Sequence, residues 1–193
     1  MIVIDYITAS EWNYSKEFRA TPIQKRGRGN QKTRIRRSYL DMISAFDIET
    51  TRLHGGVDTR FAGRMKQDAG GVWHDTGNNE QAIMYVWMLN TLNGTPVLGR
   101  TWEELKSIFD GINDILESRD AYWVVWVHNL SYEFSFLRAI HDFKQTEVFA
   151  VDSRKILKCE IGRIEFRCSY LHSNMSLAEY TAKMGVKHVK LSG

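Results

Sequence analysis

Apolar and polar positions alternate, cluster and repeat along this chain in ways that mark out most of its elements. Residues 2–7 (IVIDYI) read as a short strand. Ile43-Ser-Ala-Phe-Asp-Ile48 reads as a buried strand ending in Glu49-Thr50-Thr51. Ile83–Leu89 is apolar on both faces, the pattern of a central strand. Thr91-Leu-Asn-Gly94 supplies turn chemistry, and Thr95–Leu98 returns as its partner. From Trp102 the period changes to that of a helix: Trp102, Leu105, Ile108, Phe109, Ile112, Ile115 and Leu116 form one stripe. Thr101 and Glu104 stand at capping-box spacing before it. Tyr122–Val127 is a further buried strand, and His128-Asn129-Leu130 is a short junction. Ser131 is placed to cap a helix running through Phe143, with Phe134, Leu137 and Ile140 on one stripe. Short strands are expected at Glu147–Val151, Lys155–Glu160 and Arg163–Ser169, and a last helix at Ser176–Met184 stopping at Gly185. This order describes an α/β layer architecture with a mixed sheet.

Residues 52–80 interrupt the pattern. They are rich in glycine and polar groups and read as a long loop, with a short strand around Val72–His74. A loop of that length is uncommon unless it is functional or mobile. The segment Lys25–Arg37 also stands apart, with two glycines, few apolar residues and a run of Lys and Arg. Residues 1–40 hold nine Lys/Arg against three Asp/Glu, so the rest of the 193-residue chain is mildly acidic although the net charge is +3. The division expected is a basic N-terminal arm, 1–40, and a domain, 41–193. Nucleic-acid contact through Arg26, Arg28, Arg34, Arg36 and Arg37 is one use for the arm, and a linker is the other.

The composition is that of an ordinary globular chain, 43% hydrophobic and 25% charged. No apolar run approaches eighteen residues, so no membrane span is expected. The N-terminus has no signal-peptide pattern. Two cysteines, Cys159 and Cys168, make no disulfide framework, and a reducing, cytoplasmic setting follows. The six histidines have no metal-ligand spacing, and no P-loop or G-x-G-x-x-G occurs.

Two local constellations carry chemistry. Asp47-Ile48-Glu49 lies at the end of an apolar strand, where residues i and i+2 project to one side. Two carboxylates held together repel, and a divalent cation relieves that repulsion. Oxygen ligands favour Mg²⁺ or Mn²⁺. A strand end that merely reaches solvent would leave the same tripeptide. In the second constellation, His128–Phe136, a buried strand passes into a helix that carries Glu133 in its first turn. Ligands gather at the carboxyl ends of strands in α/β sheets. A helix-start acid is also favoured by the dipole alone. Tyr132 and Asn129 suit stacking and hydrogen bonding to a nucleobase, with core packing the alternative for Tyr132.

Together, Phe46-Asp-Ile-Glu-Thr-Thr51 and His128-Asn-Leu-Ser-Tyr-Glu-Phe134 resemble the first and second exonuclease motifs of family B DNA polymerases, most closely the protein-primed polymerases of phages and mobile elements. Arg100–Glu104, Arg154-Lys155, Ile164–Tyr170 and Asn174–Ala178 extend the resemblance, which runs from about Ser44 to Gly193. It implies an RNase H-like domain, a mixed sheet flanked by helices, with 3′–5′ exonuclease (proofreading) activity in protein-primed DNA replication. It implies catalytic and metal-holding roles for Asp47, Glu49 and Glu133, a two-metal Mg²⁺ or Mn²⁺ site, and contact with a single-stranded DNA 3′ end through Thr50, Asn129, Tyr132, Ser169 and Tyr170. Terminal protein and the rest of a DNA-directed DNA polymerase would be partners, in the host cytoplasm if the chain is phage-encoded. Many members of that family have Asp where Glu133 stands. The third motif of the family, Tyr-x-x-x-Asp, occurs nowhere in this sequence and is expected beyond Gly193. A catalytically incomplete module of a split polymerase, binding DNA or terminal protein, is the alternative.

Overall fold

A computed structural model describes residues 5–24, 37–53, 65–67, 73–75, 81–90, 92–152 and 155–186. Ten strands and five helices follow in order: β1 Ile7–Thr8, α1 Tyr14–Ala20, β2 Ser44–Leu53, β3 Met65–Gln67, β4 Trp73–Asp75, β5 Gln81–Asn90, β6 Pro96–Gly99, α2 Trp102–Ser118, β7 Trp123–Val127, α3 Leu130–Leu137, β8 Val148–Asp152, β9 Lys155–Ile161, β10 Ile164–Cys168, α4 Tyr170–Ser173 and α5 Leu177–Lys183. Eight strands form one mixed sheet in the order β1-β6-β5-β2-β7-β10-β9-β8, and β3 and β4 pair separately. The centre is parallel: Ser44 and Ala45 of β2 lie beside Val125 and Trp126 of β7, and β7 runs parallel to β10. Antiparallel partners flank it, β5 on one side and β9 on the other.

Burial along β2 alternates. Ser44, Phe46 and Ile48 are buried, while Ala45, Asp47 and Glu49 are exposed. Phe46 meets Phe109 of α2 and Phe166 of β10. The core therefore lies between the sheet and α2, and the acids of β2 lie on the strand's other face. A bulge between Glu49 and Thr50 shifts the pairing with β5 and re-aims the strand's end.

Helix α2 forms as its pattern predicts. The Thr101 side chain accepts from the Glu104 backbone N–H, and the Glu104 carboxylate accepts from the Arg100 and Thr101 N–H groups. Leu105, Ile108, Phe109, Ile112, Ile115 and Leu116 are all buried. Gly99 matters by its missing side chain: a Cβ there would sit 2.0 Å from the Trp87 ring. Gly162, at φ +62°, turns the β9–β10 hairpin, which Asn113 of α2 clasps by donating to Ile161 O and accepting from Arg163 N.

Several expectations are corrected. The boundary at residue 40 cuts through the core. Trp12, Phe18 and Leu40 are buried in it, and Phe18 packs edge-on against Trp123 at 4.7 Å. Arg119 donates to the carbonyls of Phe18 and Thr21, completing the end of α1. Charge dominated the reading of this segment, but its few large apolar residues decide where it sits. Strand β5 is paired on both edges yet not covered on both faces, since Ile83 and Tyr85 are exposed. Helix α3 ends at Leu137 rather than Phe143. Tight turns follow, Phe143 folds back onto Phe134 at 4.8 Å, and His141 pairs with Glu147. Ser131 is not its cap: Asn129 holds that position, and the Ser131 hydroxyl accepts from Ile156 N of β9 at 3.0 Å. Short helix α4 stands where the sequence showed no helix. Cys159 and Cys168 are free and buried in β9 and β10. Among the described residues, no helix is long and apolar enough to cross a membrane.

Candidate acidic site at the strand ends

Neighbouring parallel strands β2 and β7 carry the two constellations to the same end of the sheet. Strand β2 delivers Asp47, Glu49 and Thr50. Strand β7 ends at Val127, and Asn129 then takes the left-handed conformation, φ +68° and ψ +56°, to turn the chain into α3. That conformation costs asparagine less than most residues. Leu130 and Leu137 anchor α3 in the core and bring Glu133 inward with them.

Glu133 is the unusual group. It is only 3% exposed, and its Oε2 atom has no hydrogen-bond partner among the described residues. Burial pushes its carboxyl up to about 8 from 4.5. The Glu133 backbone N–H works against this rise, while the charge of Asp47 and a hydrogen bond to it add to it. A buried carboxylate without a cation beside a second carboxylate is costly, so Glu133 keeps its proton near neutral pH.

The two segments are joined a second time. Thr50 Oγ1 and the Tyr132 hydroxyl are hydrogen-bonded at 2.7 Å. Tyr132 is 41% exposed, which excludes a core role, and its ring leans on Phe136 at 5.2 Å. Asn129 is exposed, and its side chain makes no capping bond.

Ser169 and Tyr170, just past β10, reach the same junction. Ser169 N donates to Val127 O at 2.8 Å, and its hydroxyl lies 3.2 Å from His128 Nδ1. Tyr170 meets the His128 ring edge-on at 5.6 Å. The sequence assigned His128 no role of its own, although it opens the His128–Phe136 segment. Its Nε2 is buried without a partner among the described residues.

Asp47 and Glu133 thus come together, with Thr50 and Tyr132 bonded beside them and Asn129, His128, Ser169 and Tyr170 around the turn. Glu49, two residues beyond Asp47, is not gathered with them: among the described residues, no three His, Cys, Asp or Glu side chains are grouped to hold one ion. The Asp47–Glu133 pair by itself fits a hard divalent cation, which would replace the shared proton and give the buried Oε2 a partner.

The arm residues fall differently. Arg26, Arg28, Arg34 and Arg36 lie outside the described residues. Arg37 is engaged internally: it pairs with Glu160, donates to Glu165 at 3.1 Å, and lies over the Tyr122 ring at 4.4 Å. Burial works to raise the Glu160 carboxyl, but Arg37 and Lys158 more than offset it and hold it below its ordinary value.

No protein-family profile, curated protein or solved structure matches the chain.

Proposed function

We propose that this chain is a 3′–5′ exonuclease domain hydrolysing single-stranded DNA from its 3′ end with Mg²⁺ or Mn²⁺, of the kind found in protein-primed family B DNA polymerases. The observation that carries the reading is the buried Glu133 carboxyl, with one oxygen unpartnered, beside Asp47. The residues of two separate motifs meet there, and each motif alone would have been ordinary. A mixed sheet flanked by helices, with one acid on central strand β2 and the other on the helix that follows its neighbour β7, supports an RNase H-like fold.

When bound, divalent cations at such a site activate a water and stabilise the attacking and leaving oxygens of the phosphodiester. The residues have distinct tasks. Asp47 and Glu133 hold the cation charge, and Glu133 gives up its proton as it does so. Glu49, exposed on the same strand face as Asp47 but not grouped with the pair, would have to move in from the solvent side to take part. Tyr132 offers an aromatic face to a base, with its hydroxyl already fixed by Thr50. Asn129 presents an uncommitted amide, and Ser169 and Tyr170 line the approach from the β10 side. Terminal protein and a polymerase portion are the proposed partners, in a reducing cytoplasm.

The test is cleavage of a 3′-labelled single strand with Mn²⁺. Activity that is lost in both Asp47→Ala and Glu49→Ala, with unchanged melting, supports the reading. Equal activity in the doubly substituted protein sinks it. A second reading, a module that binds DNA or terminal protein without cutting, is favoured by the ungathered position of Glu49 among the described residues. Tight strand binding with no cleavage under any divalent cation would select it.

A further inference from the structure

Three consecutive residues at the start of α3 reach three different partners. Ser131 Oγ accepts from Ile156 N of β9 at 3.0 Å. The Tyr132 hydroxyl meets Thr50 Oγ1 of β2 at 2.7 Å. Glu133 is buried and hydrogen-bonded to Asp47, also on β2. Strands β2 and β9 are not neighbours, since β7 and β10 lie between them. The first turn of α3 therefore bridges the sheet, with a hydrogen bond to β9 on one flank and one to β2 on the other.

The tether to β9 is built into that strand. The β8–β9 pairing slips on both sides of the Ala150–Ile156 pair. Slips of this kind disrupt the ladder locally, and here the Ser131 hydroxyl takes up the N–H at the slip. Ile156 is buried, where an N–H without a partner is costly. Ser131 is thus spent on registering the helix rather than on capping it, for Asn129 holds the cap position.

Apolar anchoring alone would leave the helix less well defined. Leu130 and Leu137 bury α3 in the core, but burial is non-directional and tolerates small rotations about the helix axis. A hydrogen bond has a length and an angle to satisfy. Successive helical residues are about 100° apart, so fixing Ser131 on β9 fixes where Glu133 points. Glu133 depends on that support, because its Oε2 has no partner of its own among the described residues.

We propose that Ser131 is a positioning residue for the acid pair: its bond to β9 sets the rotation of α3 that presents Glu133, beside Asp47, to a divalent cation. The inference rests on the cation reading of that pair. Ser131 acts through Glu133 and is no ligand itself.

Titration of Mn²⁺ alone into the full chain, beside amide hydrogen exchange at Ile156 and a melting curve, tests this. Ser131→Ala should weaken Mn²⁺ binding about 3- to 10-fold, the scale of one lost hydrogen bond, and speed exchange of the Ile156 amide. Ser131→Thr keeps the hydroxyl and should bind as wild type does. Thr101→Ala, which destabilises α2 away from the site, should leave Mn²⁺ binding unchanged and so separates positioning from a general loss of stability. Wild-type affinity in Ser131→Ala, or equal weakening in Ser131→Thr or in Thr101→Ala, would overturn the proposal. If Ser131→Ala fails to fold, Ser131→Cys, close in size but a weak hydrogen-bonding group, decides in its place. Wild-type protein that takes up no Mn²⁺ would sink the cation reading itself and this inference with it, whereas uptake that ignores Ser131 leaves the cation reading standing and overturns this inference alone.

Discussion

Glu133 lets one side chain be tested by pH alone. Its carboxyl titrates at about 8 in the folded chain, against 4.5 as its ordinary value. Between those values the unfolded chain has lost the proton and the folded chain keeps it, so the unfolded state binds fewer protons and stability falls as pH rises. The contribution is full below about 4.5, is lost at roughly 1.4 kcal/mol per pH unit through the window, and levels off above about 8. Glu133→Gln, which stays neutral, should flatten that fall and melt higher than wild type at pH 9 in EDTA. A melting curve for each protein at several pH values checks this, and parallel pH profiles would show that Glu133 is ionised throughout. Tyr132 makes a companion case. Its ring is exposed and its hydroxyl is tied to Thr50. Tyr132→Ala should weaken single-strand binding by about 1–3 kcal/mol, the usual worth of one base stacked on an aromatic ring, with little change in melting. A large drop in melting temperature with equal loss on single strand and blunt duplex would refute the stacking role.

Among the elements, legibility followed how local the determinants are. Helix α2 could be read from Thr101, Glu104 and its apolar stripe because a capping box and a 3.6-residue period are written in adjacent residues. The β5–β6 hairpin was equally plain from its Leu-Asn-Gly turn. Helix α3 was overextended because Ile140 and Phe143 continue the spacing, whereas Phe143 in fact packs back on Phe134. Strand β5 looked buried on both faces because its sequence is apolar throughout, and nothing local says that Ile83 and Tyr85 are left uncovered. Two substitutions weigh these elements. Thr101→Ala removes the cap of α2 and should cost about 1 kcal/mol in denaturant unfolding. Phe18→Ala empties a fully buried site against Trp123 and should cost about 3–5 kcal/mol, although it lies in the segment that charge alone marked as an arm. A loss below about 1 kcal/mol would mean that α1 is not part of the core.

Across the fold, the sheet gathers what the sequence keeps apart. Asp47 was legible as an acid at a strand end and Glu133 as an acid in the first turn of the next helix, but their meeting depends on β2 and β7 being parallel neighbours, a non-local fact. The burial of Glu133 was hidden for the same reason, since it follows from Leu130 and Leu137 entering the core on either side. Arg37 was read as a nucleic-acid contact because its neighbours are basic. Glu160 and Glu165, which hold it, are distant in sequence and become its partners only when β9 and β10 pair.

The acid pair as a divalent-cation centre is tested most directly by calorimetric titration of Mn²⁺ into the protein at pH 7, repeated in buffers of different ionisation enthalpy. Because Glu133 enters with its proton on and must leave it behind to bind a cation, the pair predicts release of close to one proton per cation bound to it, and no such release in Glu133→Gln. Binding without proton release, or release that persists in Glu133→Gln, would contradict it.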